Sequence, residues 1–288
     1  MGKSGLRMFE KIIGNETIKE MLAKAMEKGN LSHSYLFVGT QGIGKKLLAK
    51  EMAKKILGFD SDSHPDFMCM EPEDNSIKIA QIRLLQKKIQ EKPILSDKKV
   101  YIIDNADTMT PEAQNCLLKT LEEPPEFAII ILIGSQENAF LTTIKSRCMI
   151  LKFRPIEEEK IRQYMKDNYG VEAISQNQFE MFQGSIGKAI RLKDKQEEYG
   201  KIETMIESLN QKDLMEIVTL AEPLYKAKEE IFEILEYMNI VLLKLAKQNY
   251  LYTNCIKIVE NTKKRLKQSA NYDMSIDDLV FNMWEEVN

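Results

Sequence analysis

Tyr35-Leu36-Phe37-Val38-Gly39-Thr40-Gln41-Gly42-Ile43-Gly44-Lys45-Lys46 is the stretch from which the fold can be read. A short, wholly apolar run reads as a buried strand. It passes at once into Gly39 to Lys45, which fits GxxxxGK. An amphipathic pattern then continues through Leu47, Leu48, Met52 and Ile56, the spacing of a helix. Strand, glycine-rich turn and helix in that order form a P-loop. Its glycines let backbone N–H groups wrap phosphate oxygens, and the helix N-terminus adds favourable partial charge. Gly39, Gly42, Gly44 and Lys45 are therefore the candidate nucleotide-binding residues, with Lys45 directed at the β- and γ-phosphates.

The flanking sequence repeats this alternation. Upstream, Asn15 is positioned to cap a helix with an apolar face at Ile18, Leu22, Ala25 and Met26, closed by Gly29. Downstream, Ile79, Ile82, Leu85 and Ile89 mark another helix, and Val100 to Ile103 a strand ending at Asp104. Thr110 and Pro111 open a further helix, with proline at the first helical position, where its missing N–H matters least. Phe127 to Ile133 is the longest apolar run, and Met149 to Phe153 is another strand candidate. Continuous apolar strands between helices argue for a parallel sheet covered on both faces. From Arg154 to Asp194 the pattern is helical, and from Lys195 to Asn288 it is helical almost throughout, as in Ile231, Leu235, Met238 and Leu242, with Leu279, Phe281 and Trp284 at the end. The expected class is α/β plus all-α.

The bulk figures narrow the functional classes. The 288 residues are 43% hydrophobic and 30% charged, a globular composition with room for two or three cores. A net charge of −3 gives no global attraction to nucleic acid, so any such contact must be a local patch. No apolar run approaches the roughly 20 residues that span a bilayer. Residues 1–7 are polar and basic, without the apolar core of a secretory signal. Cys69, Cys116, Cys148 and Cys255 form no CxxC pair, so free thiols in a reducing cytoplasm are expected, with no zinc.

Two substitutions weaken the P-loop as a catalyst. The residue after the P-loop lysine is normally Ser or Thr, whose hydroxyl holds Mg²⁺; here it is Lys46. Asp104 ends a strand as a metal-site aspartate should, but Asn105 stands where an ATPase of the AAA+ kind carries a water-polarising glutamate. Binding of ATP or ADP should be weak and hydrolysis crippled.

Several further motifs extend the pattern: Phe9 to Gly14 (FEKIIG), Ser32 to Phe37 (SHSYLF) and His64-Pro65-Asp66-Phe67. Val100 to Asp104 (VYIID), Ala113 to Pro125 (AQNCLLKTLEEPP), Thr143 to Cys148 (TIKSRC) and Gly184 to Ala189 (GSIGKA) complete it. With these pieces nearly the whole chain resembles the clamp-loader branch of the AAA+ proteins, the bacterial delta-prime subunits of DNA polymerase III in particular. The resemblance implies a P-loop AAA+ domain with a RecA-like sheet over residues 1–153, a helical lid over 154–194 and a helical collar for oligomerisation over 195–288. It implies that Arg147, flanked by Ser146 and Cys148, is presented to ATP bound in a neighbouring subunit. A permanently charged, forked guanidinium suits that task. Outside this motif an arginine in a loop reads as a surface residue.

The same resemblance implies as partners the gamma/tau-type ATPase subunits and the delta subunit, with the sliding clamp and primer-template DNA reached through the assembled loader and no membrane. Many relatives carry a four-cysteine zinc module before the His-Pro-Asp segment; here Gly58 to Ser63 has no cysteine. A lid arginine of active AAA+ subunits is matched by Gly187, with Lys188 beside it, and the sensor position falls near Ser135 or Gln136. His33 and His64 read as hydrogen-bonded anchors, Glu122-Glu123 as a helix end at a subunit boundary, the sixteen methionines as core filling, and Lys263, Lys264, Arg265 and Lys267 as a solvated face. Two alternatives stay open: an active ATPase subunit of the same loader or another P-loop NTPase, and a scaffold in which Arg147 does nothing.

Overall fold

The computed structural model describes residues 8–61 and 63–288. The reading of residues 1–7 lies outside them. Five parallel strands form one sheet: β1 (Ser34–Val38), β2 (Phe67–Met70), β3 (Lys99–Ile103), β4 (Ala128–Gly134) and β5 (Met149–Lys152). Their order is β2-β3-β4-β1-β5. The three inner strands are buried at every position, which is why they read as unbroken apolar runs rather than as alternation. Edge strand β5 differs: Met149 is 46% exposed, and the expected strand stops at Lys152 rather than Phe153. Strand β2 was not expected. Phe-Met-Cys-Met is short and lacks β-branched residues, so its pairing with β3 rather than its propensity makes it a strand.

The covering helices follow from the pattern. Helix α1 spans Glu16–Glu27, α2 Lys45–Leu57, α3 Ile79–Gln90 and α4 Pro111–Glu122. Ile82, Leu85 and Ile89 of α3 join Ala113, Leu117 and Leu121 of α4 over Leu36, Tyr101, Ile103, Ile130 and Leu132 of the sheet. Helix α2 packs on β3 and β4. Thr110 caps α4 as expected, its Oγ1 accepting from the Ala113 amide at 3.3 Å. Asn15 does not cap α1. It takes a left-handed conformation, donates Nδ2–H to the Arg154 carbonyl at 3.2 Å and accepts the Arg154 amide at 2.7 Å. The capping reading fails because a tertiary partner outcompetes the local one.

The chain forms two compact units: residues up to Tyr164 together with Gly184–Lys188, and Met165–Gln183 together with Ala189–Asn288. The remaining helices are α5 (Thr142–Lys145), α6 (Glu158–Tyr169), α7 (Gln176–Phe182), α8 (Ile186–Leu192), α9 (Gln196–Glu207), α10 (Leu214–Leu220), α11 (Glu222–Lys226), α12 (Ile231–Ala246), α13 (Tyr252–Lys267) and α14 (Tyr272–Val287). In the second unit α12 packs on α7, α9 and α13, and α13 on α14. The expected face Ile231, Leu235, Met238 and Leu242 is fully buried. Glu203 is held inside this unit, accepting hydrogen bonds from Asn177 Nδ2 at 2.8 Å, Ser175 Oγ at 3.2 Å and the Tyr237 hydroxyl. At the C-terminal end Leu279 is buried, but Phe281 is 46% exposed and Met283 takes the inward position. No helix among the described residues is long and apolar enough to cross a membrane.

Candidate functional site

The P-loop leaves the carboxyl end of β1, where open parallel sheets receive ligands. Gly39 has φ +149°, and a Cβ there would lie 2.7 Å from the Phe153 carbonyl oxygen. Gly42 has φ +78°, with Ser185 Oγ 2.4 Å from its would-be Cβ, so neither position admits a side chain. Gly44 immediately precedes α2, and its carbonyl accepts the Leu48 amide at 2.9 Å.

Lys45 is buried within the loop. Its ammonium donates to the carbonyls of Gly39 at 2.5 Å and Thr40 at 2.7 Å. Burial lowers its pKa to about 8, against the pull of Asp107 and Asp104. Lys46, one residue on, turns elsewhere. Its Nζ lies 2.8 Å from Asp104 Oδ2 and 2.5 Å from Glu71 Oε1. Burial opposes this charge, but the hydrogen bonds to Asp104 and Glu71 outweigh it and raise the pKa, so the ammonium is permanent. The same lysine holds the Glu71 carboxyl below its ordinary range.

Asp104 follows β3 directly, is 9% exposed, and accepts the Asn105 amide on Oδ1 at 3.0 Å. Asn105 stands at φ +47°, a left-handed position that asparagine tolerates better than other non-glycine residues. Asn105 thus stands in a turn that suits asparagine. Asp107 accepts the Ser135 amide on Oδ2 at 2.8 Å, tying this turn to the end of β4; Ser135 and Gln136 are both exposed. Gly187 presses on the loop from α8: its amide donates to the Gly42 carbonyl at 2.9 Å. Gly39, Gly42, Gly44, Lys45 and Asp104 thus converge at one edge of the sheet.

Ser146, Arg147 and Cys148 do not join them. They precede β5, which runs parallel to β1 with Tyr35 opposite Met149 and Val38 opposite Lys152. At about 3.3 Å per residue, roughly 17 Å of strand separates their level from the start of the P-loop. Arg147 is about a third exposed, its Nη2 2.5 Å from Glu122 Oε1. Its Nη1 donates to the Thr143 carbonyl at 2.8 Å and to Ser146 Oγ at 3.2 Å. Cys148 packs against the core, and burial pushes its thiol up to about 12, so it is a structural neighbour rather than a nucleophile.

The role of Gln114 was not legible in the sequence. It is buried, donates Nε2–H to the Ala139 carbonyl at 2.9 Å and accepts the Leu141 amide at 2.9 Å, fixing the segment that leads into α5 and Arg147. Its place in the AQN motif was the available signal. His33 faces the Ala128 carbonyl at 3.1 Å, and His64 accepts the Asp66 amide at 3.1 Å. Among the described residues no group of three or more His, Cys, Asp or Glu side chains could hold a metal ion. The basic cluster on α13 is broken by acids: Lys263 pairs with Glu260 and Arg265 with Asp278, both at 2.7 Å.

Comparison with known proteins agrees with this geometry. Residues 14–157 match the family model described as DNA polymerase III, delta subunit. DNA polymerase III subunit delta' of Bacillus subtilis is 39% identical over 160 residues, covering 50% of this chain and 49% of that protein. DNA polymerase III subunit gamma of Buchnera aphidicola is 32% identical over 206 residues, 64% of this chain and 57% of that protein. The match therefore spans about half the length of these relatives. A gamma subunit-related protein of DNA polymerase III from Thermotoga maritima shares the fold with TM-score 0.57 and 18% identity, over 93% of this chain and 99% of that one. The class is α/β plus all-α: a five-stranded parallel sheet carrying the P-loop, with helices making up the rest. The chain belongs to the DNA polymerase III delta-subunit family, among the clamp-loader proteins that its motifs resemble.

Proposed function

We propose that this chain is a delta-prime-like clamp-loader subunit that presents Arg147 to ATP held by an adjacent ATPase subunit, and does not itself turn over nucleotide. The observation that carries this reading is the placement of the two features. Arg147 stands at the amino edge of the sheet and the P-loop at the carboxyl edge, so the guanidinium is out of reach of its own loop. A phosphate that it serves must come from elsewhere. The guanidinium is about a third exposed and its partner Glu122 is itself exposed, which suits delivery to a second molecule.

Three features support an inactive own site: Lys46 in place of the metal-binding hydroxyl, Asn105 in place of the catalytic carboxylate, and Gly187 in place of the lid arginine. Within this reading residues 1–153 are the AAA+ domain, 154–194 the lid and 195–288 the collar. The partners are gamma/tau-type ATPase subunits and delta, and through them the sliding clamp and primed DNA in the cytoplasm. No zinc is required, and any ATP or ADP is held weakly.

The test uses the assembled loader. Arg147→Ala should lower DNA- and clamp-stimulated ATPase at the site it serves by about tenfold or more, since such fingers contribute roughly 10³–10⁵ in the best-measured GTPases. Assembly, followed by gel filtration, should be intact. Unchanged ATPase in the mutant complex removes the finger and leaves the scaffold reading.

A further inference from the structure

A P-loop that works with Mg²⁺ offers it a hydroxyl after the lysine and an aspartate at the end of the neighbouring strand. The ion demands six oxygen ligands at about 2.0–2.1 Å in near-ideal octahedral geometry. The residues here do not fit it. The hydroxyl is replaced by the Lys46 side chain, and the ammonium is already seated on the strand-end carboxylate, 2.8 Å from Asp104 Oδ2. Glu71, reaching in from the end of β2, closes the other side of that ammonium at 2.5 Å. Seating Mg²⁺ on Asp104 would require expelling Lys46 from two carboxylates and leaving its charge beside the ion and Lys45.

We infer that the Lys46 ammonium stands in place of Mg²⁺, so that this pocket takes a nucleoside di- or triphosphate as the free anion and excludes the metal. An ammonium has three donors. Asp104 and Glu71 take two, and the side chain is 36% exposed, which leaves a donor for a phosphate oxygen. The carboxylates orient the cation as they would orient a metal, while the glycine loop and the start of α2 supply backbone N–H groups. The proposal rests on residues 39–46 being a nucleotide pocket and is independent of Arg147.

The test measures binding of a fluorescent ADP to the full chain in EDTA and in excess Mg²⁺. The wild type should bind in EDTA, and Mg²⁺ should leave affinity unchanged within about twofold or weaken it, because the ion competes for the free anion. Lys46→Thr restores the hydroxyl and frees Asp104, so Mg²⁺ should now tighten binding about tenfold or more. A comparable Mg²⁺ gain in the wild type, or no ADP binding in either condition, overturns the proposal. A folded Lys46→Thr protein without any Mg²⁺ gain removes Lys46 as the excluding group. Should that variant fail to fold, an electron paramagnetic resonance titration of wild type with Mn²⁺ and ADP decides. Protein-dependent capture of Mn²⁺ refutes exclusion, and its absence, with ADP bound, supports it. None of these outcomes bears on the Arg147→Ala result in the assembled loader.

Discussion

Replacing Asp66 by Asn tests how the sheet's outer edge is built. The Asp66 carboxylate is 1% exposed as a residue and accepts three backbone amides: Ile94 on Oδ1 at 2.7 Å, and Leu95 and Ser96 on Oδ2 at 2.8 and 2.9 Å. It thereby folds the connection between α3 and β3 against the start of β2. An asparagine has one acceptor oxygen. Its cheaper orientation keeps that oxygen toward Leu95 and Ser96 and turns its NH₂ on the Ile94 N–H. One charge-assisted bond is lost, a donor faces a donor, and two bonds weaken. We expect a loss of about 2–3 kcal/mol, which for a unit of this size is roughly 5–10 °C in Tm.

The pH dependence carries a definite sign. Although burial works the other way, the bonds from Ile94, Leu95 and Ser96 hold the Asp66 carboxyl below its ordinary value. Its contribution is therefore complete above the unfolded value near pH 4 and is lost as pH falls through the lower folded value. Melting curves of wild type and Asp66→Asn should lie furthest apart above about pH 5 and converge in acid. Equal melting at neutral pH, or a gap that does not narrow down to about pH 3, refutes the reasoning.

Two shorter predictions concern the pocket. In Gly187→Ala the new Cβ would lie 2.9 Å from Gly42 Cα, and overpacking of about 1–3 kcal/mol should exceed the gain in helix propensity of up to about 1 kcal/mol. Urea unfolding should show a net loss, whereas Gly200→Ala, with open space around its Cβ in α9, should be stabilised by about 0.5–1 kcal/mol. If the two alanines behave alike, the close approach of α8 to the loop is wrong. Because the Lys45 pKa is lowered to about 8, ADP affinity should be level below that pH and fall up to about tenfold per pH unit above it, as the ammonium must regain its proton on binding. An affinity that is flat from about pH 7 to 9 would remove Lys45 from the phosphate contacts.

Much of the first unit was legible because its patterns have few solutions. Phe127 to Ile133, apolar on both faces, reads as an inner strand of a covered sheet, and β4, which takes up all of it but Phe127, is buried throughout. The elements that escaped are those whose reason lies elsewhere in the chain. β2 is a strand because β3 pairs with it, and Asn15 serves Arg154 rather than its own helix. Phe281 faces outward because α14 turns Leu279 and Met283 inward instead.

Sequence alone determined which residues stand at the motif positions: a lysine and not a hydroxyl after Lys45, an amide and not a carboxylate after Asp104, a glycine at Gly187. Those are properties of side-chain identity at fixed motif positions and need no coordinates. Only the tertiary structure decided what the replacements do. Lys46 meets Glu71, 25 positions away, and Asp104 because the ends of β2 and β3 lie side by side in register, bringing two carboxylates to one ammonium. The same parallel packing sets Arg147 at the opposite edge of the sheet from the P-loop. Charge pairs form between whatever groups the backbone brings within a few ångströms, and a linear pattern does not contain that distance.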